Sequence, residues 1–323
     1  MDKLVKTIPK PADVDYILSS FHELQEQGAV DAGGFHVSSM NDCVRRGKSL
    51  PPIVVLYPNI VLEGDLCIIF GQSGIGKTIF AMQVARDIAA TGKRVLYADF
   101  EMTLRQLALR YESPNFPPTF FRAEMDMEAP VGDVLKGIEA AAVTNMAEVV
   151  FIDNITALSQ SLDKSSDAGS LMASLNALKR KYNWTLVILN HVPKMFSGSV
   201  PLSLAAIQGS AKLNQLIDDA VGLGQSSRDK SMVYVKQCKW RNGELVLDAD
   251  NVALYERKNG EGNLCFTFRS YDTEAVHLET ASSNEHERLK ARVRELSSQG
   301  MKQQDIAKEC GITQSKVSRL LNS

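Results

Sequence analysis

Residues Gly71-Gln72-Ser73-Gly74-Ile75-Gly76-Lys77-Thr78 run without interruption as G-x-x-x-x-G-K-T, and no other stretch restricts the fold as much. Glycines let the backbone curl so that successive N–H groups point inward at a phosphate chain. Lys77 then reaches the β- and γ-phosphates, and the Thr78 hydroxyl binds Mg²⁺. Such a loop works between a buried strand and the N-terminus of a helix, where the backbone already favours an anion. Both flanks fit. Leu66–Phe70 is a short apolar run suited to a buried strand, and residues 79–89 carry apolar side chains at helical spacing. The expected ligands are ATP and Mg²⁺.

Around this loop the chain separates into regions. Residues 1–50 are expected to be a helical appendage, with helix over 13–27, a break at Gly28 to Gly34 and a short helix near 39–47. Pro51-Pro52 opens a core over 51–279 in which apolar runs alternate with amphipathic stretches. That alternation predicts an α/β core, a mostly parallel twisted sheet flanked by helices. Parallel strands are expected at 66–70, 94–99, 118–122, 148–152 and 185–189, followed by antiparallel hairpin strands at 231–238, 245–255 and 264–269. A Ser-rich linker at 280–284 leads to a small all-α domain at 285–323.

Composition narrows the class further. A net charge of −2 leaves no broad basic surface, so any nucleic-acid contact must be local. Five cysteines lie far apart without a C-x-x-C pair, which argues against zinc and a disulfide framework and fits a reducing cytoplasm. Neither a signal peptide nor a membrane-length apolar run is visible, so a cytoplasmic protein without membrane contact is expected.

Two acids extend the nucleotide site. Val149-Val150-Phe151-Ile152-Asp153 is an apolar strand ending in a carboxylate, placed to hold the Mg²⁺ shell through water. Asn154 follows, so the base that activates water must lie elsewhere. Glu101, just past the strand after the phosphate-loop helix, is the candidate, with Asp99 as its competitor.

This layout resembles the RecA-like core of ring ATPases, and more closely that of the DnaB-type hexameric replicative helicases. The similarity covers roughly 51–270. Glu101 to Arg110 resembles the family's run from catalytic glutamate into its helix, and Thr185 to Lys194 its strand with a polar sensor at the tip. Gly209 to Ala220 matches the segment leading into a further core strand. Lys236-Gln-Cys-Lys239-Trp-Arg241-Asn242-Gly243 resembles its basic finger, K-x-R-N-G. The resemblance implies that His191 stands where the family has a sensor glutamine. It also implies that Lys239 and Arg241, alternating on a strand and so facing one side, act on a neighbouring subunit's γ-phosphate. The family's large N-terminal collar is missing, which brings the chain closer to plasmid RepA-type helicases and related mobile-element ATPases. In such rings the loops after Asp153 and Asn190 line a central channel; here Lys164, Lys194 and Lys212 are the candidate phosphate contacts.

The tail carries its own signal. Ala307, small at a helix crossing, precedes Gly311 by four residues, and Ile306, Cys310, Ile312, Val317 and Leu320 fall at buried positions of a helix-turn-helix. Arg288 to Gln299 would be a support helix, leaving Gln314, Ser315, Lys316, Ser318 and Arg319 to face duplex DNA. Eight Lys/Arg against five Asp/Glu over 285–323 give a local charge of +3. The function expected is a DNA-dependent ATPase or helicase forming a homo-oligomeric, hexameric ring in plasmid or mobile-element replication. An ATP-switched DNA-binding regulator and a RecA-class recombinase are the alternatives.

Overall fold

The computed structural model describes residues 30–32, 35–112, 115–124, 134–154, 168–192, 200–207, 215–260, 263–278 and 281–322. Two compact units divide the chain, Met1–Ile53 and Val54–Ser323. In the first, strands β1 (Val30–Ala32) and β2 (Phe35–Val37) pair antiparallel where the sequence suggested only a break. Helix α1 (Met40–Ser49) follows, opened by the Ser39 hydroxyl, which accepts from the Asp42 N–H at 3.1 Å. The helix expected at 13–27 lies outside the described residues.

The second unit begins with a ribbon of β3 (Val55–Tyr57) and β4 (Val61–Leu62). Its parallel strands are β5 (Leu66–Gly71), β6 (Val95–Asp99), β7 (Phe120–Glu124), β8 (Val149–Asp153), β9 (Thr185–His191) and β10 (Asp219–Gln225). Between them run α2 (Lys77–Ala90), α3 (Leu104–Arg110), α4 (Val134–Thr144) and α5 (Ala168–Tyr182). An antiparallel meander then adds β11 (Met232–Lys239), β12 (Val252–Gly260) and β13 (Asn263–Asp272). The resulting nine-stranded sheet has the order β13-β12-β11-β10-β5-β9-β8-β6-β7.

The central strands β5, β6, β8 and β9 are largely apolar because both faces are covered. Cys67 and Ile69 of β5 face one core with Phe80, Val84 and Ile88 of α2. Leu66, Ile68 and Phe70, on the alternate positions, face the other with Ile138 of α4 and Leu171, Met172 and Leu175 of α5. One expected strand is misplaced: β12 starts at Val252, not 245. At 246–247 the Gln237 N–H donates to the Leu247 carbonyl at 2.7 Å, and its side-chain Oε1 accepts from the N–H groups of Val246 and Leu247 at 2.8 and 2.9 Å, so no regular ladder forms.

After the short helix α6 (Glu274–His277), three helices close the chain: α7 (Ala281–Ser298), α8 (Gln303–Glu309) and α9 (Gln314–Asn322). Residues 281–284, read as linker, are therefore the first turn of α7. The three share a small core of Val293, Leu296, Ile306, Ala307, Val317 and Leu320, with Cys310 and Ile312 half-buried beside it. Gly311 takes φ +63°, the left-handed turn that a side chain would oppose.

Candidate active site

The carboxyl ends of the central strands collect the nucleotide machinery. Strand register sets the spacing: Gly71 pairs with His191, and Asp99 pairs with Asp153. Four strand ends therefore open on one crevice, where the direction of the connections reverses between neighbouring β5 and β9, the usual place for a ligand in such a sheet.

The phosphate loop follows β5. Ile75 is buried in the core and pins the loop from below, while Ser73 and Gly74 are exposed. Gly71 lies so close to β10 that a Cβ there would stand 2.7 Å from the Leu223 carbonyl oxygen. Gly76, at φ +101°, caps α2, and a Cβ on it would meet Phe266 at 2.9 Å. Phe266 is held there by both sides of the Gln83 amide, at 2.9 and 2.8 Å, and by edge-on packing against Phe80. The β12–β13 hairpin is thus fastened over the phosphate-loop helix. From it Arg257 donates to the Gly74 carbonyl at 3.3 Å, a cation beside the loop that the sequence reading did not single out.

Lys77 is buried, donating to the Gly71 and Gln72 carbonyls at 2.9 Å each and lying 3.1 Å from His191 Nδ1. Burial lowers its pKa to about 8, against the pull of the Asp153 and Glu101 charges. Asp153 is buried too, and burial pushes its carboxyl up to about 6 despite hydrogen bonds from the Thr78 and Tyr97 hydroxyls, the latter at 2.9 Å. A cation and a carboxylate each taken out of water favour a counter-charge between them. A triphosphate suits Lys77, and the hydroxyl–carboxylate oxygen pair of Thr78 and Asp153 suits Mg²⁺. Bound there, the metal would neutralise charge on the phosphate oxygens.

Glu101 stands across the crevice. His191 Nε2 is 3.4 Å from its Oε1, and the Asn154 amide donates to the same oxygen. The His191 hydrogen bond holds the Glu101 carboxyl below its ordinary range, against the effect of burial. Asp99 is engaged otherwise: its Oδ1 accepts from the N–H groups of Glu101 and Met102 at 3.0 and 2.9 Å, and its Oδ2 from Arg122 at 2.9 Å. It shapes the loop that presents Glu101, and its fully buried side chain is closed to water. Asn154 itself was not read from the sequence as part of the site, since its partners lie 37 and 53 residues away.

Other expected residues lie elsewhere. Lys239 pairs with Ala220 at the opposite edge of the sheet, about 10 Å of strand below Gly71. Its ammonium donates to the Ile217 carbonyl at 2.7 Å, and Arg241 pairs with Asp218 at 2.5 Å. Neither belongs to the crevice of its own chain. Gln314, Ser315, Lys316 and Arg319 are exposed along α9, with Ser318 half-buried. Lys164, Lys194 and Lys212 lie outside the described residues.

Residues 39–195 match the AAA domain family. Among curated proteins, the chain is 24% identical over 160 residues to the DNA repair protein RadA of Campylobacter jejuni, covering 49% of this chain and 33% of that protein. It is 28% identical over 211 residues to RadA of Listeria monocytogenes (62% and 42%) and 26% identical over 236 residues to RadA of Bacillus subtilis (68% and 49%). The chain therefore spans less than half the length of these relatives. Among solved structures, a DnaB-like replicative helicase aligns with a TM-score of 0.54 at 14% identity, over 78% of this chain and 72% of that one. A KaiC-like protein from Pyrococcus horikoshii aligns with a TM-score of 0.51 at 16% identity, over 67% of this chain and 100% of that one. The fold is RecA-like, a mostly parallel sheet flanked by helices with the phosphate loop after β5.

Proposed function

We propose that this RecA-like core is a DNA-dependent ATPase of replicative-helicase type, working as a homo-oligomeric ring of six subunits in plasmid or mobile-element replication. The observation that carries the reading is the convergence of Lys77, Thr78, Asp153, Glu101 and His191 in one crevice, with Lys239 and Arg241 at the opposite edge. In hydrolysis, Glu101 takes a proton from water as the water oxygen bonds to the γ-phosphorus. The bond to the β-phosphate oxygen breaks, and ADP and phosphate leave. Lys77 follows the phosphate charge, and His191, in contact with both Lys77 and Glu101, is placed to sense it. The finger cations would complete the neighbouring subunit's site, which makes hydrolysis depend on assembly.

The three-helix tail would supply duplex DNA contacts through Gln314, Ser315, Lys316, Ser318 and Arg319 of α9. One such module covers few base pairs, so useful affinity would come from several tails on one ring. No described helix is long and apolar enough to cross a membrane. A second reading, a RecA-class recombination ATPase, is favoured by the RadA relatives.

Strand displacement with ATP, measured beside ATPase rates on single-stranded and duplex DNA, separates these readings. A helicase displaces the strand and is stimulated by single strands. Strand exchange without displacement favours the recombinase, and ATP-dependent duplex binding without either favours the regulator. Removal of 285–323 is expected to abolish most duplex binding and to leave the single-strand stimulation.

A further inference from the structure

Asn154 is the first residue beyond β8 and is buried at 3% exposure, although it is polar and borders the crevice. Its amide nitrogen reaches Glu101 Oε1 and lies 3.1 Å from His191 Nε2. The hydrogen-bonding roles at this junction follow from the chain of contacts. Lys77 can only donate, so His191 Nδ1, 3.1 Å away, accepts, and Nε2 carries the ring proton. Nε2–H and the Asn154 N–H are then two donors side by side. They do not bond each other; both converge on Glu101 Oε1, which leaves Oε2 as the free oxygen.

We propose that Asn154 is a positioning residue for ATP hydrolysis: with His191 it ties down one oxygen of Glu101 so that the other is held toward the attacking water. The inference rests on the reading of Glu101 as the base. The Glu101 side chain is 42% exposed and has three rotatable bonds, so the loop alone does not fix its carboxylate. Asp99 orients the backbone of residues 101 and 102 and stops there. The remaining control comes from β8 and β9, whose ends bring Asn154 and His191 to the same oxygen. A misplacement of about 1 Å in such a group is enough to cost about 100-fold in rate. Because Asn154 directly follows Asp153, the base is held by the strand end that carries the metal-side carboxylate, and the two functions stay in register.

The test uses the full chain. Asn154→Asp keeps the side chain's shape and removes its donor; Asn154→Ala removes both. Each is expected to lower kcat about 20-fold or more, with KM for ATP and the affinity for a fluorescent ATP analogue within about twofold of the parent. In a Glu101→Gln background, followed by single-turnover hydrolysis, the same changes are expected to cost less than about twofold, because Asn154 acts through Glu101. Normal kcat in Asn154→Asp beside an inactive Glu101→Gln overturns this inference alone. So does a loss that falls on KM or on analogue binding, or one that persists at full size in the Glu101→Gln background, since each indicates a packing role. Normal turnover in Glu101→Gln itself removes the base assignment, and this inference with it.

Discussion

The two edges of the central sheet are made by the same strands yet manage their charges in different ways. At the carboxyl edge, Lys77 and Asp153 are both buried, and burial works against the charge of each, lowering one pKa to about 8 and raising the other to about 6. At the opposite edge, burial would also raise Asp218. There the Lys179 hydrogen bond and the Leu66 N–H at 2.9 Å more than offset it, and the carboxyl lies below its ordinary range. Arg241 adds a further partner at 2.5 Å. One edge holds charges that a ligand would relieve, and at the other the Asp218 charge is satisfied from within. In a phosphate-binding enzyme the first arrangement marks where chemistry happens. The second marks a rigid mount, from which a cation can be presented outward.

The sharpest way to break this comparison is to remove the central cation. Lys77→Ala is expected to reduce ATP hydrolysis about 1000-fold or more, because a water-excluded phosphate chain loses its main side-chain partner. Phosphate release in the presence of DNA checks it, and turnover within tenfold of the parent would deny the carboxyl edge its role. Next in size is the paired change Lys239→Ala with Arg241→Ala at the other edge. It should retain nucleotide binding and lose hydrolysis by about 1000-fold, the scale of a missing arginine finger. Mixing it with Lys77→Ala protein is expected to restore part of the activity at interfaces that join two intact halves. Full activity in a strictly monomeric preparation would show that the lower edge supplies nothing in trans.

Much of the carboxyl edge was legible because its signals are local. The glycine pattern, Asp153 at a strand end and Glu101 just beyond Asp99 are each readable within a few residues of a strand. The rest depends on register between segments far apart in the chain. That Gly71 sits beside His191, and that Lys239 pairs with Ala220 and not with a residue near the phosphate loop, follows from strand pairing across 120 and 19 positions. Asn154 and Arg257 escaped notice for the same reason: an asparagine after an aspartate and an arginine in a hairpin carry no sequence signature. The strand expected at 245 failed because residues 246–247 are tied to Gln237 by one backbone bond and two bonds to its side-chain oxygen, which is not a ladder. In the tail, Ala307 and Gly311 announced the turn, whereas the start of α7 was hidden by the polar composition of 281–284.

The smallest expected effect probes the lower edge through Asp219, a carboxyl whose charge burial opposes. Asp219 is fully buried, and burial raises its carboxyl to about 7, with the neighbouring Asp65 and Asp218 charges acting in the same direction. Its Oδ1 accepts the Arg241 N–H at 3.1 Å, so it still anchors the finger segment. A carboxyl raised from the ordinary value near 4 favours the protonated form in the folded chain. Its contribution to stability is therefore complete below about pH 4 and is lost as pH climbs through about 7. Asn at this position preserves the acceptor and carries no charge. Asp219→Asn is accordingly expected to leave stability at pH 4 nearly unchanged and to raise it by about 2 kcal/mol at pH 8, a figure reduced for sharing of the proton with Asp65. Urea unfolding at the two pH values measures the difference directly. Equal shifts at both would mean that Asp219 is ionised in each and is balanced by Arg241 and its neighbours. The lower edge would then be as fully satisfied as its Asp218 ion pairs suggest, and the contrast between the two edges would become complete.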